Sequence, residues 1–70
     1  MMIRKYSKSQ LLELIEEWVL GLNADRNKRI IKDKLIEGLT ISKIAEKYDL
    51  SETRVKTIIR TFKGIVEAHE

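Results

Sequence analysis

Proline is absent from the whole sequence, and glycine occurs only at Gly21, Gly38 and Gly64. All three glycines lie near predicted helix ends, and apolar residues recur at helical spacing between them. Because nothing in such a chain interrupts a helix before its end, the sequence predicts an all-α fold. A length of 70 residues leaves room for one small core, so we expect a single small four-helix domain over residues 1–70.

The first predicted helix covers residues 7–22, and residues 1–6 are expected to be flexible. Ser7 and Gln10 have the spacing of a capping box, in which each side chain bonds to the backbone of the other residue. The apolar face of this helix is broad for one small core. It comprises Leu11, Leu14, Ile15, Trp18 and Leu22, and it is widened by Leu12 and Val19.

The second predicted helix begins near Asp25, a good N-cap residue, and ends before Gly38. Gly38 suits the position just after a helix, where glycine adopts a left-handed backbone. The residues expected to face inward are Ile30, Ile31, Leu35 and Ile36, together with the stem of Lys34.

A helix-turn-helix motif is predicted over residues 40–63. Thr40 or Ser42 caps its first helix, and Ser51 caps the helix that follows the turn. In the turn, Asp49 occupies a position that favours a positive φ angle, which aspartate tolerates. The small Ala45 lets the two helices approach closely, and Leu50 can fill the angle between them. The inward residues are Ile41, Ile44, Ala45 and Tyr48 before the turn, then Val55, Ile58, Ile59, Phe62 and Ile65 or Val66.

Basic residues are concentrated around this motif. Residues 26–63 hold 11 basic and 5 acidic side chains, whereas residues 1–25 hold 3 and 4 and residues 64–70 hold none and 2. The positive charge therefore coincides with the motif, as expected for DNA binding, and a solvated charged surface is the alternative.

The polar face of the last helix carries the candidate DNA contacts. Thr53, Lys56 and Thr57 are the predicted base contacts, because lysine donates to guanine and the threonine methyl meets the thymine methyl. Glu52 is expected to stabilise the first turn rather than to bind cytosine. The predicted phosphate contacts are Thr40, Ser42, Lys43, Arg54, Arg60 and Lys63.

The segment from Arg26 to Arg60, RNKRIIKDKLIEGLTISKIAEKYDLSETRVKTIIR, resembles the helix-turn-helix domains of the region 4 type in bacterial sigma factors. Small phage or prophage regulators are built in the same way. The similarity lies in an arginine-rich helix, a Gly-Leu-Thr segment, an Ile-Ala pair, a Leu-Ser turn and a following Thr-x-Val. This resemblance implies binding of double-stranded DNA through the second helix of the motif.

No catalytic, cofactor or metal site is predicted. The only histidine, His69, stands one residue from the end, so we expect a frayed terminus rather than a catalytic base. Glu13 and Glu17 share a helix face, but solvated acids explain them better than a metal site. Without cysteine or a long apolar stretch, the chain is expected to be a cytoplasmic protein that binds no membrane and no small-molecule substrate.

The first helix is also the predicted oligomer element, through Leu12, Trp18 and Val19. Trp18 is expected to pack across the second and fourth helices, and the alternative is that it anchors a partner. Because one helix-turn-helix module buries little DNA surface, a homodimer on a two-fold site or a larger protein complex would strengthen binding.

Three functions stay open at this stage. The first is a small sequence-specific transcriptional regulator of phage or prophage type. The second is an accessory protein of DNA packaging or recombination. The third is a protein-interaction module that has kept the fold and lost DNA binding.

Overall fold

The structure is a computed structural model that describes residues 6–68. This part of the chain forms four helices and no strand, which confirms the predicted all-α class. The predictions for residues 1–5 and for His69 lie outside the described residues, whereas Tyr6 packs against the core. The helices are α1 (Lys8–Trp18), α2 (Ala24–Leu35), α3 (Ile41–Tyr48) and α4 (Glu52–Ala68).

The start of α1 is the predicted capping box. The Ser7 backbone N–H donates to Gln10 Oε1 at 2.8 Å, and the Gln10 backbone N–H donates to Ser7 Oγ at 3.2 Å. These two bonds satisfy backbone donors that have no partner within the helix.

The end of α1 lies at Trp18 rather than at the predicted Leu22. Val19 is extended, which keeps its side chain in the core, and Gly21 turns the chain with a φ of 90°. Leu22 is consequently 93% exposed, so the prediction that it faces inward is wrong. Helical spacing could not show this break, since Val19 and Leu22 both continue the apolar pattern.

The boundaries of α2 differ from the prediction at the start and agree at the end. Asn23 is the N-cap with a φ of 62°, and Asp25 lies in the first turn instead. Asparagine tolerates this left-handed backbone better than most residues, so the helix begins earlier. Gly38 has the expected positive φ, 77°, and the Leu39 N–H beyond it donates to the Asp33 carbonyl at 2.9 Å.

The turn between α3 and α4 has the predicted caps and backbone. Thr40 Oγ1 accepts from the Lys43 N–H, and Ser51 Oγ accepts from the Arg54 N–H, both at 3.1 Å. Asp49 adopts the left-handed conformation with φ 55° and ψ 48°. These features set the angle at which α4 leaves α3.

The core consists of two clusters that meet on α4. The first joins α1, α2 and α4, and the second joins α2, α3 and α4. Half-buried Ile58 packs against both of them. Helix α4 therefore packs on two sides. The first cluster comprises Leu11, Ile15, Val19, Ile31, Phe62 and Val66, and the second comprises Ile30, Ile44, Ala45, Val55 and Ile59.

Each helix of the described chain is too short or too polar to cross a membrane.

Candidate nucleic-acid interface

The face of α4 opposite the core is open to solvent. Its buried stripe is formed by Val55, Ile59, Phe62 and Val66. The predicted base-contacting residues Thr53, Lys56 and Thr57 are all exposed. A helix that packs on the core with one face and exposes the opposite face to solvent can enter a DNA major groove, which is about 12 Å wide.

Thr57 is partly engaged within α4. Its hydroxyl donates to the Thr53 carbonyl at 2.9 Å, one turn earlier in the helix. A threonine hydroxyl has one proton to donate, so the Thr57 methyl and the oxygen lone pairs are what remain for a base. This arrangement suits contact with a thymine methyl better than donation to a base edge.

The predicted phosphate contacts fall into separate places around α4. Ser42 and Lys43 are exposed in the first turn of α3. Arg60 and Lys63 line a cleft that also includes Ile41, the first residue of α3. Arg54 lies on the other edge of α4. There Arg54 lines a groove with Trp18 and Asn27. Arg54 is therefore separate from the other predicted phosphate contacts.

Two basic residues of α2 form salt bridges with an acid of α1 at the surface. Lys28 and Lys32 of α2 bond to the carboxylate of Glu16 on α1, at 3.2 and 3.0 Å. Hydrogen bonds from Lys32 and Lys28 hold the pKa of Glu16 below its ordinary value.

The cations of the candidate interface have no such partners. Within residues 6–68, no salt bridge involves the predicted contacts Lys43, Arg54, Lys56, Arg60 and Lys63. Their charge is therefore available to an external anion such as DNA phosphate.

A buried acid that the sequence reasoning missed fixes the motif to α2. Asp33 Oδ2 accepts from the Tyr48 hydroxyl at 2.7 Å and from the Lys47 ammonium group at 3.0 Å. Burial, and then the bond to Asp33, raise the pKa of Tyr48. The same carboxylate raises the pKa of Lys47.

A sequence signal for this acid existed. Asp33 lies three residues after buried Ile30, so it occupies the inner face of α2. An acid at such a position requires a donor, which Tyr48 and Lys47 supply.

The predicted oligomer residues do not form one surface. Val19, predicted as an interface residue, is buried in the first core cluster because the chain turns inward after α1. Trp18 is half-buried against that cluster, and Leu12 is only marginally exposed. The two strongly exposed leucines are instead Leu20 and Leu22, in the α1–α2 connection.

Residues 24–61 match the family model of sigma-70, region 4. The chain belongs to the sigma-70 region 4 family. No significant match was found among curated proteins or among solved structures.

The region 4 match begins at the first residue of α2 and ends within α4, so α1 lies outside it. Region 4 is a helix-turn-helix DNA-binding region and not a catalytic one. Membership therefore supports DNA binding by this chain. In helix-turn-helix motifs the second helix lies in the major groove and the first crosses the backbone, and α4 and α3 hold these two positions in the motif.

Proposed function

We propose that this region 4 protein is a small transcriptional regulator that binds double-stranded DNA sequence-specifically, of the phage or prophage type. The observation that supports this most is the exposed face of α4, where Lys56 and Arg60 have no carboxylate partner in the described chain. A polar helix face whose cations are unneutralised is suited to an anionic groove.

The proposed contacts divide by role. Thr53, Lys56 and Thr57 contact base edges from the first two turns of α4. Phosphate contacts hold the recognition helix in register without specifying sequence. We assign them to Thr40, Ser42, Lys43, Arg54, Arg60 and Lys63.

The proposed partners follow from the size of the module. A single DNA-binding module buries about 600–1,000 Å² of protein surface, which limits specific affinity. We propose that a homodimer on a two-fold site, or a larger complex, supplies the missing contact area. The proposed location is the cytoplasm, and no enzymatic activity is proposed.

The decisive experiment selects bound duplexes from a random-sequence DNA pool at two salt concentrations and sequences them. An enriched motif supports the regulator, and half-sites about one helical turn apart would also establish the dimer. Salt-sensitive binding without enrichment favours an accessory role in DNA packaging or recombination. Absence of binding at low salt overturns DNA binding and leaves a protein-interaction module.

A further inference from the structure

A cleft with four cationic side chains lies beside the recognition helix. It is bounded by Lys34 of α2, by Ile41 of α3, and by Ile59 of α4. The remaining lining residues are Lys56, Arg60 and Lys63 of α4. We name this set of six residues the basic cleft.

The cations of the basic cleft form no salt bridge within the described residues. No acidic residue lines it, and no salt bridge of residues 6–68 involves Lys34, Lys56, Arg60 or Lys63. Lys32, two residues before Lys34 on the same helix, is paired with Glu16. Lys34 of α2 thus lies with three unpaired cations of α4, and four like charges together create a positive potential that attracts an anion.

The position of the cleft on α4 indicates which anion it meets. Lys56, Arg60 and Lys63 follow one another at spacings of four and three residues, so they form one edge of the helix. Arg54 stands on the opposite edge. A helix lying in the major groove has a phosphate backbone along each edge, so the basic cleft faces one DNA strand.

Lys34 is the member of the cleft that belongs to neither helix of the motif. The sequence predicts that its stem lies inward, and in the structure the residue is half-buried while it lines the cleft. A lysine can bury its methylene stem and keep its ammonium group at the surface. Such an ammonium group has limited freedom, which favours a defined contact over a diffuse one.

We propose that the basic cleft binds a backbone phosphate of one DNA strand and that Lys34 of α2 donates to it together with Arg60 and Lys63. This inference rests on the proposed function. Lys34 is then a positioning contact outside the helix-turn-helix motif, and it fixes the angle at which α4 enters the groove. Because phosphates are the same at every step, this contact adds affinity without sequence preference.

The test measures the dissociation constant of the full chain for a 20-base-pair duplex at several salt concentrations, by fluorescence anisotropy. Lys34→Ala should weaken binding to all sequences and leave sequence preference unchanged. It should flatten the log–log salt slope by less than about 0.9, the value for one whole phosphate contact, because Arg60 and Lys63 still contact the same phosphate. Lys34→Arg should retain the slope. Lys8→Ala on α1 is the matched control, since it removes the same charge from an exposed site outside the cleft.

The outcomes separate this inference from the function on which it rests. An unchanged salt slope in folded Lys34→Ala, with weakened binding by Lys56→Ala, overturns the phosphate contact and leaves DNA binding in place. An equal change in Lys34→Ala and Lys8→Ala also overturns it, because the effect would then come from net charge alone. Failure of the unsubstituted protein to bind the duplex at low salt overturns both proposals.

Discussion

Replacing Asp33 with alanine removes the acceptor that joins α2 to the end of α3. The Asp33 side chain is 13% exposed, and its bond from the Tyr48 hydroxyl is short at 2.7 Å. A hydrogen bond to a charged group contributes about 1.5–3 kcal/mol. The Lys47 side chain is 54% exposed, so solvent screens its pairing with Asp33 and that pair adds little.

Asp33→Ala should therefore lower the free energy of unfolding by about 1–2.5 kcal/mol, after a gain of about 0.5 kcal/mol from the better helix propensity of alanine. A 70-residue domain has a total stability of about 3.5–10 kcal/mol, so this loss is a large fraction. Urea unfolding followed by far-ultraviolet circular dichroism measures it. With a slope of about 1 kcal/mol/M, the urea concentration at the midpoint should fall by about 1–2.5 M.

A double-mutant cycle isolates the Asp33 bond to Tyr48. Tyr48→Phe removes the hydroxyl, and its effect should largely disappear when Asp33 is already alanine, which gives a coupling of about 1–2 kcal/mol. Glu13→Ala, which removes an exposed acid of α1, is the control and should stay within about 0.5 kcal/mol of the unsubstituted protein. A coupling below about 0.5 kcal/mol would refute the claim that this bond fastens the motif to α2.

Three further predictions concern DNA contacts, packing and pH. Lys56→Ala should relax sequence preference in the random-pool selection, whereas Arg54→Ala should weaken binding to all sequences and reduce the salt slope by about 0.9. An equal loss of affinity in both variants without a change in preference would contradict the division into base and phosphate contacts. Ala45→Glu should abolish the cooperative unfolding transition, because a charge at this buried helix contact has no partner. The smaller Ala45→Ser change is the control and should stay folded. A folded glutamate variant would mean that the turn packs differently. Above pH 10, the free energy of unfolding should fall, because the folded-state pKa values of Tyr48 and Lys47 are raised from ordinary values of 10.0 and 10.5. The stability that their protonated forms contribute is lost as the pH rises through these folded-state values. In Tyr48→Phe this alkaline loss of stability should be smaller, and a loss equal to that of the unsubstituted protein would contradict the raised pKa of Tyr48.

Local sequence signals predicted the helices and most of their ends. The capping box at Ser7, the caps at Thr40 and Ser51, and the positive φ of Asp49 all depend on residues within a few positions of each other. Such interactions are visible in a sequence because their geometry is fixed by the helix or turn itself.

The errors arise where distant parts of the chain decide the structure. The chain leaves the helix after Trp18 because Val19 fits the core in an extended conformation, which no periodicity records. The pairing of Asp33 with Tyr48 spans 15 residues and depends on how α2 meets α3. Lys34 lies beside Lys56, Arg60 and Lys63 only because α2 packs next to α4, so the basic cleft could not be predicted from the sequence.

Helix α4 carries its core residues and its proposed base contacts at different positions. Its apolar stripe belongs to both core clusters, whereas Thr53, Lys56 and Thr57 lie outside them. Exposed substitutions of this kind usually change stability by no more than about 0.5 kcal/mol. If DNA preference resides in these three proposed contacts, descendants of this chain could acquire new preferences by successive changes there, and each intermediate would stay folded.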